Sequence, residues 1–159
     1  MEFNGKLEYR ALRDTDTAFV SMLAGESPDW AETELGESET AADFIRKYRG
    51  TGGEFRVWQV GGTDTALSYH IDKAESNRKP WLGTILVRRS ARGKGIASAI
   101  VWKLASEWRT KGERATFCGV PADKMDWPLF LGKIGFEQLK IEQDENEKEF
   151  LVMVLPLDV

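Results

Sequence analysis

Apolar residues along this chain change their spacing several times, and each change predicts the boundary of a helix or a strand. Residues 26–38 are expected to form a loop or a broken helix. Before this segment, the pattern predicts a strand in KLEYRALR (6–13) and a helix in DTDTAFVSMLAG (14–25), which Asp14 to Asp16 cap and Gly25 ends. After it, the pattern predicts a helix in TAADFIRKYRGTGG (40–53). Two strands follow, EFRVWQV (54–60) and TALSYHID (65–72), joined by a tight hairpin.

A nearly continuous apolar run, PWLGTILV (80–87), predicts a strand that is buried on both faces. The helix that follows Gly95 has the clearest pattern, because five apolar residues fall on one stripe at helical spacing: Ile96, Ile100, Val101, Leu104 and Trp108. This helix ends near Lys111 and Gly112, and RATFCGV (114–120) forms the next strand. A strand-helix-strand crossover of this kind predicts a parallel strand pair within a mixed sheet.

The last third of the chain predicts a short helix followed by two strands. The helix lies in DWPLFLGKIGF (126–136), and the strands EQLKIE (137–142) and EFLVMVLPL (149–157) flank the polar turn QDENEK. Together the elements predict a mixed α/β domain. With 159 residues, the chain is expected to form a single domain over residues 1–159.

Composition excludes several classes of function. The chain has 26 acidic against 22 basic side chains and a net charge of −4, which does not favour a nucleic-acid partner. Its single cysteine cannot form an internal disulfide, and no Cys/His cluster predicts a metal site. The N-terminus lacks the apolar core of a signal peptide, and no apolar run reaches the roughly 20 residues needed to span a bilayer. These features predict a cytoplasmic, metal-free domain without a membrane partner.

Positive charge and glycine are concentrated where the fourth predicted strand meets the long helix. Four cations occur within seven residues, at Arg88, Arg89, Arg92 and Lys94, and Gly93 and Gly95 lie among them. A strand that enters a glycine-rich turn and then a helix directs free backbone N–H groups and the positive end of the helix dipole to one place. Such a junction predicts a phosphate-binding loop. The alternative is a tight turn with solvated cations. Neither the Walker spacing nor the dinucleotide-binding GxGxxG is present.

The segment Arg92-Gly93-Lys94-Gly95-Ile96-Ala97 resembles the [RQ]-x-x-G-x-[GA] signature of the GNAT superfamily of N-acyltransferases. YRALRDTD resembles that family's opening strand and helix, LFLGKIGF resembles its closing helix, and the order of elements agrees. The resemblance implies a twisted sheet of six or seven strands flanked by helices, with a splayed parallel pair that binds acyl-CoA. It also implies acetyl-CoA as the donor and direct attack by a primary amine in a ternary complex.

The same resemblance assigns residues to the donor. The backbone N–H groups of residues 92–97 would hold the pyrophosphate, with added charge from Arg92 and Lys94. Leu86 and Val87 would pair with the pantetheine amides as an added strand does, and an N–H near Val87 would stabilise the oxyanion. The implied set is Leu86, Val87, Arg92, Gly93, Lys94, Gly95, Ile96 and Ala97.

The groups that would move protons are not defined by the sequence. Many family members place an acidic tyrosine four residues before the glycine of the closing Gly-Phe, but Leu131 occupies that position here. Tyr69, His70 and Cys118 are weaker candidates. His70, whose polar neighbours on its strand face are Ser68 and Asp72, is either a general base or a packed histidine. Cys118 is either a covalent nucleophile or a small buried side chain.

An acidic segment suggests the kind of acceptor. No Lys or Arg occurs between Arg13 and Arg46, and the gap contains nine carboxylates: Asp14, Asp16, Glu26, Asp29, Glu32, Glu34, Glu37, Glu39 and Asp43. It is either an anionic wall that attracts a cationic amine, where Trp30 could stack on the cation, or a solvated acidic face. The expected partner is a small-molecule or peptide amine, and the expected assembly a monomer or a homodimer. The alternatives are a CoA-binding sensor with weak catalysis and a phosphate or nucleic-acid binder.

Overall fold

The computed structural model describes residues 3–36 and 38–157. The predicted elements are present, and within the segment expected to be a loop or a broken helix, Pro28–Glu34 are helical. Within the described ranges the strands are β1 (Leu7–Ala11), β2 (Glu54–Val60), β3 (Thr63–Ile71), β4 (Trp81–Val87), β5 (Ala115–Pro121), β6 (Glu137–Gln143) and β7 (Glu149–Pro156), and the helices are α1 (Thr17–Gly25), α2 (Pro28–Glu34), α3 (Ala41–Arg49), α4 (Ile96–Thr110) and α5 (Asp126–Ile134).

The strands form one mixed sheet in the order β1-β2-β3-β4-β5-β7-β6. β5 and β7 pair in antiparallel fashion from Ala115 opposite Pro156 to Pro121 opposite Phe150. β4 and β5 are parallel, with Trp81 opposite Phe117, and the Phe117 N–H donates to the Pro80 carbonyl at 3.0 Å. The predicted crossover and its parallel pair are therefore confirmed.

Two compact units make up the chain. The first contains Met1–His70 and Thr84–Ile100. Its core includes a line of aromatic rings in which Trp30 meets Phe44 edge-on at 4.9 Å, Phe44 meets Phe55 at 5.7 Å, and Phe55 meets Tyr69 at 4.6 Å. Trp30 is buried in this line. The expectation that it stacks on a cation is not supported, since its ring already has an aromatic partner.

The second unit contains Ile71–Gly83 and Val101–Val159. Here the α4 residues Val101, Leu104 and Trp108 are buried, as the helical stripe predicts. The Trp108 indole N–H donates to Asp72 Oδ1 at 2.8 Å, and the Asp72 carboxylate also pairs with Lys111. Asp72, which the sequence placed as a polar neighbour of His70, is thus bound to the end of α4.

A bulge changes the register of the β2–β3 hairpin. Next to the turn, Gln59 lies opposite Asp64, whereas the next pair is Trp58 opposite Ala66, so Thr65 is an extra residue on β3. A regular register counted from the turn would place Glu54 opposite Tyr69. Because of the bulge, Glu54 lies opposite His70 instead.

The prediction that β4 is buried on both faces is wrong. Leu82, Thr84 and Leu86 are buried, but Gly83 is exposed, and Ile85 and Val87 are partly exposed. Alternation of burial is the usual property of a strand with one packed face. The sequence conceals it because the less buried positions also carry apolar side chains.

Candidate active site

Short-range backbone hydrogen bonds determine the shape of the loop between β4 and α4, which contains the start of the GNAT-like signature and is called the signature loop below. The Arg88 N–H donates to the carbonyl of the bulge residue Thr65 at 2.9 Å, which holds the end of β4 on β3. A 3₁₀ turn then covers Arg89–Ala91, closed by the Ala91 N–H on the Arg88 carbonyl. The Arg92 N–H donates to the Arg89 carbonyl at 3.2 Å. That N–H is thus used within the loop, and the expected set of pyrophosphate donors starts one residue later.

Both loop glycines have left-handed backbone conformations. The φ angles are 78° at Gly93 and 81° at Gly95, a region that side chains with a Cβ rarely occupy. The carbonyl of Gly95 accepts the N–H of Ala99 at 3.0 Å, so α4 begins directly after the second glycine. The first-turn N–H groups of an α-helix have no intrahelical acceptor, and here they follow a turn that allows a close approach of the backbone.

The four cations of this junction have different environments. Arg89 and Lys94 are exposed. Arg88 is half-buried, and its Nη1 lies 3.4 Å from the Asp64 carbonyl. The guanidinium of Arg92 donates to protein acceptors: Nε to the Val87 carbonyl at 3.1 Å, and Nη2 to the Glu26 carbonyl at 2.7 Å and the Ser27 hydroxyl at 2.9 Å. Lys94 is therefore the cation of the signature whose position suits direct contact with an anion.

The remaining residues of the expected donor set differ in burial. Leu86 and Ile96 have buried side chains, whereas Val87 and Ala97 are partly exposed. Ile96 belongs to the buried stripe of α4, so it could meet a ligand through its backbone alone. The expected contacts of Leu86 and Val87 are also backbone contacts and do not conflict with this packing.

Tyr69 is committed to the structure of the first unit. Its side chain is 1% exposed, and its hydroxyl donates to the Tyr48 carbonyl at 2.8 Å and also bonds the Thr51 hydroxyl. A buried hydroxyl with two such partners anchors the end of α3. This geometry favours a structural role over that of a general acid.

His70 is buried and has a carboxylate across the hairpin. Its Nε2 lies 3.9 Å from Glu54 Oε1, and the Glu54 carboxylate also accepts a hydrogen bond from Arg56 Nε. Sequence reasoning considered only Ser68 and Asp72 as polar neighbours, because the register that brings Glu54 to His70 depends on the bulge. Its burial favours the packed histidine of the two alternatives.

Cys118 has no feature that activates a thiol. Its side chain is buried, and burial raises the pKa of Cys118 to about 12. The nucleophilic thiolate is therefore scarce at neutral pH. This environment favours the small buried side chain over the covalent nucleophile.

Leu131 takes part in the closing helix through its backbone. Its carbonyl accepts the N–H of Gly135 at 3.2 Å and that of Phe136 at 3.0 Å, a pattern that ends α5 and starts β6. The Gly-Phe pair that carries part of the resemblance thus has a structural function here. The half-buried leucine side chain supplies no proton donor.

Several carboxylates of the acidic segment are neutralised within the fold. Asp14 pairs with Arg49 at 2.9 Å, Asp16 with Arg10 at 2.8 Å, and Asp43 with Arg46 at 3.1 Å. Glu37 lies outside the described residues. The anionic wall, if one attracts the acceptor, is therefore smaller than the nine carboxylates suggest.

Sequence reasoning did not single out Glu34, which lies at the end of α2. Its Oε2 accepts a hydrogen bond from the Tyr48 hydroxyl at 3.0 Å. Burial raises the pKa of Glu34, against the opposing effect of that hydrogen bond, and burial likewise raises the pKa of Tyr48. The sequence left residues 26–38 as a loop or a broken helix, and no local pattern connects Glu34 with Tyr48, 14 positions away.

Several solved structures with a similar fold are acetyltransferases. The chain aligns with a chimera of the spermidine N-acetyltransferase SpeG from Vibrio cholerae and hSSAT, with a TM-score of 0.73, 17% identity and 95% coverage of each chain. An acetyltransferase from Thermus thermophilus gives a TM-score of 0.75 at 15% identity, covering 95% of this chain and 97% of the other. The ribosomal-protein-S18-alanine N-acetyltransferase from Escherichia coli gives 0.65 at 15% identity, covering 97% and 96%.

At the level of sequence, the chain is 42% identical over 138 residues to YkzC of Bacillus subtilis (strain 168), an uncharacterized protein, covering 87% of this chain and 96% of that one. It belongs to the YkzC family and has the GNAT fold. The resemblance expected from the signature loop is thereby confirmed at the level of the fold. No protein-family model matches the sequence. Among the residues that the structure describes, no helix combines the length and the apolar character needed to cross a membrane.

Proposed function

We propose that this chain is an N-acetyltransferase that moves an acetyl group from acetyl-CoA to a primary amine by direct attack in a ternary complex. The observation that carries the proposal is the junction of β4 and α4, where two glycines with positive φ precede the free N–H groups of a helix and Lys94 is exposed. This arrangement suits a pyrophosphate. The GNAT fold supports the same assignment.

The donor supplies an activated acetyl thioester, and the chain supplies its position. The N–H groups of residues 93–97 and the Lys94 ammonium would bind the pyrophosphate, and the backbone of Leu86 and Val87 would bind the pantetheine amides. An N–H group near Val87 would stabilise the oxyanion, a contribution of about 2.7–4 kcal/mol in other acyl-transfer sites. Arg92 would contribute by holding the loop, because its guanidinium already has protein acceptors.

Proton transfer is assigned to water rather than to a protein group. The acceptor must be neutral to attack, and a lysine-like amine with a pKa of about 10.4 must first lose a proton. Tyr69, His70 and Cys118 are all buried, and Leu131 carries no acid. Water would take the proton from the amine, and CoA would leave as the thiolate. Without a dedicated protein base, turnover is expected to rise with pH, because the neutral fraction of the amine increases.

Calorimetric titration with acetyl-CoA is the direct test, with pantetheine as the control ligand that lacks the pyrophosphate. Binding of acetyl-CoA without binding of pantetheine supports the loop assignment. Lys94→Glu is the preferred variant, since Lys94 is exposed and the substitution does not require a new backbone conformation. It should weaken acetyl-CoA binding by about tenfold or more by replacing attraction with repulsion. Unchanged affinity in the variant would contradict the proposed loop.

The amines to test as acceptors are chosen from the names of solved structures that share this fold. SpeG is named for spermidine and the Escherichia coli enzyme for an alanine of ribosomal protein S18. A polyamine, an amino acid and an alanine-initiated peptide therefore form a sensible first panel. A single-domain cytoplasmic enzyme, monomeric or homodimeric, remains the prediction for the organisation of the chain.

A second function is favoured by Leu131. A chain with the cofactor loop but without the family tyrosine could bind CoA as a sensor or as a partner-binding module. Acetyl-CoA binding without turnover of any amine in the panel would support the sensor. Turnover of one amine would exclude it.

A further inference from the structure

Arg92 connects two segments that are far apart in sequence. Its Nε donates to the Val87 carbonyl at the end of β4, and its Nη2 donates to the Glu26 carbonyl and the Ser27 hydroxyl between α1 and α2. Nearby, the Arg89 N–H donates to Glu26 Oε1 at 2.8 Å. We call these four hydrogen bonds the Arg92 brace. All of its members belong to the first unit.

The brace uses Ser27 in an unusual way. Ser27 is the N-cap residue of α2, and its carbonyl accepts the Ala31 N–H at 2.9 Å. A serine at this position ordinarily turns its hydroxyl to the N–H groups of its own helix. Here the hydroxyl makes no such bond and accepts from Arg92 instead. The start of α2 is therefore held by Arg92 of the signature loop and not by a side-chain cap within the helix.

Charge assists these bonds. A guanidinium that donates to a carbonyl forms a stronger hydrogen bond than a neutral donor does, and its planar fork can serve several acceptors at fixed angles. A lysine ammonium cannot reproduce that fork. The carbonyl and hydroxyl acceptors are neutral, so they do not cancel the charge of Arg92.

We propose that Arg92 is a positioning residue that fixes the start of α2 against the signature loop, so that ordering of this loop by acetyl-CoA also orders α2. The second half of this statement rests on the proposed function, whereas the first half concerns the free protein. α2 carries Asp29, Glu32 and Glu34 of the acidic segment. Binding of the donor would thus prepare the side of the unit where those carboxylates lie, and the coupling would act in both directions.

Hydrogen exchange of the α2 amides in the full chain without ligand tests the brace itself. Arg92→Ala and Arg92→Lys should each increase exchange at residues 31–34, the α2 amides with acceptors inside the helix, by about tenfold or more, since charge-assisted bonds hold the helix start. Ser27→Ala removes the hydroxyl that accepts from Arg92 and should also increase exchange, by a smaller factor. Lys94→Ala, which removes the same charge from the same loop, should leave α2 at wild-type rates. Wild-type exchange in Arg92→Lys would overturn the proposal.

Saturation with acetyl-CoA tests the coupling. The wild type should show slower exchange in α2 when the donor is bound, whereas Arg92→Lys should bind the donor without this change. In steady state, Arg92→Lys should raise KM for the amine more than KM for acetyl-CoA. An α2 response in Arg92→Lys equal to that of the wild type would overturn the coupling.

Failure of the proposed function gives a different result. If the wild type does not bind acetyl-CoA, the enzyme assignment fails, and the exchange rates without ligand still decide whether Arg92 holds α2.

Discussion

Position 53 requires glycine because no space is left there for a side chain. A Cβ at this position would collide with the ring and hydroxyl of Tyr69 and would lie 2.6 Å from the His70 carbonyl. Tyr69 cannot withdraw, since its hydroxyl is bonded to Tyr48 and Thr51. Gly53→Ala should therefore destabilise the protein by about 2–3 kcal/mol through forced movement of packed atoms. Urea unfolding measures the change.

Gly132→Ala is the matched control for Gly53→Ala. Gly132 lies within α5, and a Cβ there would meet no described atom within 4 Å. This substitution should stabilise the protein by up to about 1 kcal/mol, because alanine favours the helix. Effects of the same sign and size in the two variants would contradict the steric explanation for Gly53.

Asp16 is expected to contribute to stability in a pH-dependent way. Its two carboxylate oxygens accept hydrogen bonds from Arg10 at 2.8 and 2.9 Å, and one also accepts the Arg13 N–H. The Arg10 hydrogen bonds hold the pKa of Asp16 below its ordinary value, against the opposing effect of burial. Asp16→Asn should therefore cost about 2–3 kcal/mol at pH 7.

The direction of the pH effect follows from that lowered pKa. Stabilisation by Asp16 is complete above its unfolded pKa of about 3.9 and is lost as pH falls through the lower folded value. The difference between wild type and Asp16→Asn, measured by urea unfolding from pH 7 to pH 2, should shrink only at the acid end. Asp14→Asn is the control: its exposed pair with Arg49 should be worth less than about 1 kcal/mol. A constant difference for Asp16→Asn across the range would refute the explanation.

At the scale of elements, α3 offers the cleanest test of local sequence. Thr40 Oγ1 accepts the Asp43 N–H at 3.3 Å, while Asp43 Oδ2 accepts the Thr40 N–H at 2.9 Å, so the two residues cap each other. Thr40→Ala should reduce the free energy of unfolding by about 1 kcal/mol, and Thr40→Ser should retain most of it. Thermal unfolding of the two variants measures the contrast. Equal losses would indicate that the hydroxyl is not the capping group.

Local patterns predicted the elements well, because their causes are local. The stripe from Ile96 to Trp108 and the glycine turn before it can be recognised from neighbouring residues alone. The contact between Glu54 and His70 could not be predicted, since it depends on one unpaired residue in β3. The partners of Arg92 were equally hidden: Glu26 and Ser27 lie 66 and 65 positions away, and no spacing rule connects them.

At the scale of the whole molecule, the kinetic mechanism is open to a decisive test. Direct attack predicts intersecting lines when the acetyl-CoA and amine concentrations are varied together, and it predicts no acetylated protein without an amine. Cys118→Ala should retain most of the wild-type kcat, because burial raises the pKa of Cys118 to about 12 and leaves little thiolate to act as a nucleophile. Parallel lines together with loss of kcat in Cys118→Ala would instead establish a covalent route.

The extra residue of the hairpin has a consequence for how insertions and deletions would act on this fold. Without Thr65, β2 and β3 could still pair as they do now from Trp58 and Ala66 onward, one residue shorter. The deletion would remove the carbonyl that accepts the Arg88 N–H at the end of β4. Thr65, a residue of the β2–β3 hairpin, thus stabilises the end of β4, a strand outside the hairpin. A deletion here would shorten β3 alone and leave its pairing with β2 intact, but it would remove a hydrogen bond that holds the end of β4, next to the signature loop.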